Sequence, residues 1–154
     1  IIKTKKFSEI INKISPDFIN IYNQAEHAES IGLDSICGVG FRKSLEFLMK
    51  DYTIYKINDN EYSFKDKNGK ENSNDDLIKD VKKLFLGNLF KKYYSNTELG
   101  EAARLATYIG NDETHYTKVW EDFNVVQLKA LINTVIYKID SVEQLKKFKK
   151  IMTK

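Results

Sequence analysis

The sequence predicts an all-α fold, a bundle of about five main helices with a small β-hairpin or loop insertion at about 53–74. Three observations point there. Apolar residues recur at three- and four-residue spacing from Phe18 to Ile136. Helix-start signals stand at Ser15-Pro16-Asp17, Ser95-Asn96-Thr97-Glu98 and Ser141-Val142-Glu143-Gln144. One Pro and seven Gly in 154 residues leave little for the turns of a sandwich or barrel.

Residues 1–14 mix Ile with Lys and open at Ile1 rather than Met. They are expected to form a short helix or an ordered arm, the remnant of a missing upstream segment. Residues 15–154 are expected to be one domain. Ser15 can cap a first helix over 16–31, Pro16 suits its first position, and Asp17 faces the positive helix end. Phe18, Tyr22, Ala25 and Glu29 follow at helical spacing, and Gly32 stands where a helix-ending glycine would. A second helix is expected over 34–52, with Ile36, Val39, Leu45, Phe47, Leu48 and Met49 as apolar positions. Gly38 and Gly40 fall in its first turns, where each costs about 1 kcal/mol against Ala. Their presence there suggests close approach of another backbone.

Thr53-Ile54-Tyr55-Lys56-Ile57 and Tyr62-Ser63-Phe64 alternate in the strand manner, with Asn58-Asp59-Asn60 as turn chemistry between them. A hairpin followed by a loop is the expectation, with 58–74 the most mobile internal stretch. Helix resumes over 75–94 on Leu77, Ile78, Val81, Leu84, Phe85 and Leu89, with Gly87 as a candidate break. The capping-box spacing at Ser95 starts a helix over 98–109, and polar and aromatic residues 111–123 read as loop. Asn124 can cap a helix over 125–139, and Ser141 a separate, Lys-rich terminal one.

Charge adds little direction. Lys and Arg number 25 against 22 Asp and Glu, a net charge of +3 that is compatible with nucleic acid without arguing for it. Only Arg42 and Arg104 are arginines. A lone cysteine, Cys37, excludes an internal disulfide framework and is expected to be buried. Two histidines and one cysteine cannot build the usual four-ligand zinc site, so no metal or cofactor is expected. No run of eighteen apolar residues and no signal peptide are visible, which points to a cytoplasmic protein without a membrane partner. There is no Walker loop and no GxSxG elbow, and Gly38-Val39-Gly40 lacks the third glycine of a dinucleotide fingerprint.

Two segments could carry chemistry. Gly110-Asn111-Asp112-Glu113-Thr114-His115 crowds an amide, two carboxylates, a hydroxyl and an imidazole together. Imidazole is the side chain best placed for proton transfer near neutral pH. A helical Asn111–His115 turn would put those two on one face. Equally, Asn111 could cap a helix and His115 bond a carbonyl in a polar core. In the other segment Arg42, Glu46 and Lys50 are spaced four apart on one helix face. They form either a surface ion-pair ladder or an inward polar group, and a planar guanidinium in so lysine-rich a chain suits a positional need. A guanidinium that turns inward needs acceptors, which the Gly110–Tyr116 block supplies. Arg42, Glu46, Asn111 and His115 are therefore expected to lie near each other.

Phe18–Ala25, Gly38-Val39-Gly40-Phe41-Arg42-Lys43-Ser44-Leu45-Glu46, Gly110–Tyr116 and Trp120-Glu121-Asp122 together resemble the bacterial domain-of-unknown-function family 4145, over most of residues 15–140. Members of that family occur alone, behind zinc-ribbon-like segments or fused to restriction-type nucleases. They look like relatives of the HEPN superfamily, helical domains common in phage-defence systems. The resemblance implies an HEPN-like bundle, a homodimer, and RNA, DNA or a defence protein as partner. Active HEPN ribonucleases use an Arg-x-x-x-x-His motif, usually with Asn after the Arg, and cut RNA without metal. Asn111 and His115 match that motif, while Gly110 stands where it has arginine. Arg42 or Arg104 is left to supply the cation. The resemblance leaves two readings. One is a non-catalytic interaction module, with Arg42, Glu46, Asn111, Asp112, Glu113 and His115 as a binding or structural polar network. The other is a metal-independent endoribonuclease, with His115, Asn111 and Arg42 as catalytic residues.

Overall fold

A computed structural model describes residues 4–153. Among them stand seven helices: α1 (Glu9–Ile14), α2 (Pro16–Ser30), α3 (Asp34–Asn58), α4 (Asn74–Lys83), α5 (Leu86–Tyr93), α6 (Glu98–Asp112) and α7 (Val125–Met152). The all-α expectation holds. α3 is the axis of the bundle and packs against every other helix, while α2 pairs with it and α6 pairs with α7. No helix among the described residues is long and apolar enough to cross a membrane.

Local chemistry explains the boundaries. Ser15 accepts from Phe18 N at 3.1 Å and caps α2, as its sequence suggests. Gly32 adopts φ +78°, and the Gly32 and Leu33 amides donate to Glu29 O and Ala28 O at 3.1 and 2.9 Å. That is the paired closure a left-handed glycine permits, and it turns the chain back into α3. α4 is capped by Ser73, and α6 by Thr97, not by the Ser95 two residues upstream. Asn124 caps α7 and Gln127 reaches back to the Asn124 amide at 2.8 Å, a complete capping box.

Four expectations are corrected. There is no hairpin strand at 53–57, because α3 runs on to Asn58. Tyr52, Thr53, Lys56 and Ile57 are all buried, a helical spacing hidden inside an alternating string. Thr53 satisfies its hydroxyl on Met49 O at 2.7 Å. Beyond α3 the segment 59–73 keeps only one antiparallel bridge, Lys65 with Glu71. Its Tyr62 and Phe64 rings pack edge-on against Tyr93, with centroids 4.9 and 5.4 Å away. The 75–94 stretch is two helices, and the break lies at Leu84-Phe85 in extended conformation while Gly87 sits inside α5. α6 continues past 109 to Asp112. Finally, Ser141 starts nothing: α7 passes through it. The buried series Leu128, Ile132, Val135, Ile139, Glu143 carries α7 onward at helical spacing.

The core gathers Phe18, Tyr22, Phe41, Leu45, Leu48, Met49 and Tyr52 with Ala103, Ala106, Ile132 and Val135. Cys37 is buried, as expected. Polar ties cross the same layers. Lys129 of α7 bonds Glu26 and Glu29 of α2 at 3.0 and 2.8 Å, and Tyr52 OH donates to Glu143 at 2.8 Å. The glycines of α3 serve two neighbours. A Cβ at Gly40 would lie 2.9 Å from Ala25 Cβ of α2, and one at Gly38 would lie 2.6 Å from the Glu113 side chain. The close approach is therefore α2 at Gly40 and a side chain at Gly38.

Candidate functional site

The middle of α3 and the C-terminal end of α6 build the site. Gly110 lies in α6 beneath the stem of Arg42, and a Cβ there would fall well inside contact with Arg42 Cγ. The missing side chain is what lets Arg42 lie across α6. Its Nε then donates to Asn111 Oδ1 at 3.3 Å, and its Nη1 to Glu46 Oε1 at 2.6 Å. Glu46 also faces Lys50 Nζ at 3.5 Å, and Lys50 donates to Lys82 O at 3.1 Å. Burial pushes the Glu46 carboxyl up, but Arg42 and Lys50 outweigh it and hold the group below the usual carboxylate range.

α6 ends at Asp112, and one further turn carries His115. The His115 and Thr114 amides donate to Asn111 O at 3.1 and 3.0 Å, and Thr114 Oγ1 donates to it at 2.9 Å. The turn keeps His115 on the Asn111 side. Its side chain is exposed, and its imidazole makes no hydrogen bond among the described residues. Arg42, Glu46, Asn111 and His115 line one open groove of about 440 Å³, together with Lys43 and Phe47. The sequence expectation that these four residues come together holds.

The two acids of the block do other work. Asp112 is buried and turns away from Arg42, accepting from the Val119 and Trp120 amides at 3.0 and 2.7 Å. It fixes the loop from 113 to 124. Glu113 lies against Gly38. Neither lines the groove. Arg104, the other candidate cation, is placed elsewhere. It bonds Tyr108 OH at 3.3 Å and Glu101 at 3.5 Å, in a groove of about 960 Å³ lined by α5, α6 and α7.

Sequence reasoning left Val39, Lys43, Phe47 and Thr114 out of the site. The first three were legible as the same α3 face, since 39, 43 and 47 step by four beside 42, 46 and 50. Thr114 was legible only once the turn after α6 was known. Comparison with protein-family models, with curated proteins and with solved structures returned no match.

Proposed function

We propose that this domain is a nucleic-acid-associated interaction module whose groove between α3 and the end of α6 receives RNA without cutting it. The observation that carries this reading is the state of Arg42. Glu46 and Asn111 grip its guanidinium from two sides, so it acts as a fixed donor at the floor of an open groove. Lys43 and His115 stand accessible beside it. The fixed guanidinium of Arg42 and the free ammonium of Lys43 around one concave surface suit phosphate contacts. The resemblance to family 4145 supports a place in a prokaryotic phage-defence or restriction-type system, and a homodimer. Light scattering at tens of micromolar tests the dimer, and a monomer mass would remove it.

A specific observation favours a second reading, the metal-independent endoribonuclease. The His115 imidazole is exposed and unengaged, and Arg42 reaches Asn111 across the space that a side chain at 110 would fill. In that reading α3 delivers the arginine that the motif lacks at Gly110. His115 would take the proton of a ribose 2′-hydroxyl as its oxygen attacks the adjacent phosphorus, and the bond to the 5′-oxygen would break with that oxygen taking a proton from water. Arg42 would stabilise the charge gathering on the phosphate.

One experiment separates the two. Total RNA is incubated with wild type and with His115→Ala, with and without chelator, and binding is followed by gel shift. Binding without cleavage is the expected result. Cleavage that survives chelator and vanishes in His115→Ala establishes the second reading. RNA left both uncut and unbound removes both.

A further inference from the structure

The groove at His115 does not end at Glu46. A second open groove, of about 530 Å³, is lined by Arg42, Glu46 and Asn111 as well, and runs on past Lys50 and Lys83 to Phe85. The two adjoin at the bonded group Arg42, Glu46 and Asn111, which lines both, and together they make up a trough. It follows α3 from Val39 to Lys50, or about 16 Å at 1.5 Å of rise per residue.

Its lining holds several charged side chains and two phenylalanines, the half-buried Phe47 and the exposed Phe85. Lys43, Arg42, Lys50 and Lys83 are spread along it; Arg42 and Lys50 both face Glu46, the one carboxylate among its lining residues, while Lys43 and Lys83 are exposed near its two ends. At the far end stands Phe85. It is the second residue of the two-residue break between α4 and α5, in extended conformation (φ −67°, ψ 147°), and its side chain is 82% exposed. Leu84, the other residue of the break, packs against the core, so the break has an inward apolar contact already. Folding leaves the ring of Phe85 unused. The large apolar residues of the trough that are exposed, Val39 and Phe85, stand at opposite ends, which is not the contiguous patch a protein partner would cover. A backbone-tracking line of cations with an exposed ring is the arrangement that holds single strands, since every unpaired base has a face to stack.

We infer that the trough is a track for single-stranded RNA, running from His115 to Phe85, with Phe85 as a stacking platform for an unpaired base and Lys83 as a phosphate contact. The inference rests on the RNA-binding reading above and gives that site its substrate class and its far end. Phe85 is distant in sequence from both motifs, so its test is independent of them.

The test is fluorescence anisotropy with a labelled twelve-nucleotide uridine-rich RNA, single-stranded and annealed to its complement. Wild type is expected to bind the single strand more tightly than the duplex. Phe85→Ala is expected to weaken single-strand binding about tenfold, from the ordinary worth of one stacked base. Phe85→Trp is expected to retain it. Lys83→Gln is expected to lower the slope of log affinity against log salt by about one. Both side chains are exposed, so the variants are expected to fold, which circular dichroism checks. If wild type binds RNA but Phe85→Ala binds as tightly, or the duplex binds as well as the single strand, the track is wrong and the wider reading survives. If wild type binds no RNA, both fall together.

Discussion

Gly110 governs the geometry of the groove because of what it lacks. Adding a methyl group there forces the Arg42 stem aside and takes its Nε from Asn111. Gly110→Ala is expected to cost about 1–3 kcal/mol, the usual range for overpacking. In an Arg42→Ala background the Cγ clash is gone and only the Cβ of residue 42, at 3.0 Å, still presses on the added methyl, so the same change is expected to cost less than it does in wild type. A urea double-mutant cycle checks that relief, and additive effects would show that the two residues do not interact. Arg42→Ala itself is expected to cost only about 1 kcal/mol, since both its side chain and that of Glu46 are partly exposed, at 21% and 38%. Asp112 behaves differently. It is buried and serves two amides, so Asp112→Ala is expected to cost about 2–3 kcal/mol by orphaning both. A melting temperature that does not move would contradict that role. The sequence placed Asp112 and Arg42 in one network because both are polar and their motifs converge. It could not show which way the carboxylate turns, since that depends on where the 113–124 loop passes.

Helix ends divide into those set by local chemistry and those set by packing. Ser15, Gly32 and Asn124 act where the sequence puts them, because each bond closes within five residues. Ser141 carries a capping-box start signal, yet lies exposed within α7. The difference lies in the next turns of the helix: Glu143 takes Tyr52 OH and Lys146, and Lys146 reaches Glu61 at 2.7 Å. Those ties hold the last third of α7 against α3 and the 59–73 segment, and no local cap competes with them. Asn124→Ala is therefore expected to destabilise by about 1 kcal/mol. Ser141→Ala is expected to leave stability unchanged or raise it by about 0.5 kcal/mol, as alanine does within a helix. A loss at Ser141 equal to that at Asn124 would mean that a helix starts there. The α3 extension obeys the same logic. Thr53, Ile54 and Ile57 favour strands in isolation, but Tyr52, Thr53 and Lys56 find their partners only as a helix face.

Lys56 couples that face to the stability of the bundle as a whole. It is only 7% exposed, and its Nζ lies 4.2, 4.5 and 5.2 Å from the ring centroids of Tyr94, Tyr52 and Tyr62. Burial pushes its pKa down to about 8, with Glu61 and Glu143 pulling up against it and Lys146 pushing down. From about pH 8 toward the ordinary lysine value the unfolded chain binds more protons, so this residue makes stability rise with pH. The slope is at most about 1.4 kcal/mol per pH unit. Above about pH 10 the buried tyrosines, whose pKa values burial raises, reverse the trend because they ionise first in the unfolded chain. Urea midpoints at pH 7, 8, 9 and 10 are expected to show a rise in wild type relative to Lys56→Met. Parallel curves would refute it. Nothing in the sequence around Lys56 announces this cage, because Tyr62 and Tyr94 come from a loop and from the end of α5. By itself the sequence determined the helical class, the starts of the helices at 16, 34, 98 and 125, and the meeting of Arg42 with Asn111 and His115. Each of these rests on short-range spacing or on the demand of a polar group for acceptors. Only the tertiary structure decided how far α3 and α7 run, where Asp112 and Glu113 turn, and that Phe85 ends the trough. Those outcomes depend on contacts between residues far apart in the chain, whose free energy exceeds the local preferences that the sequence displays.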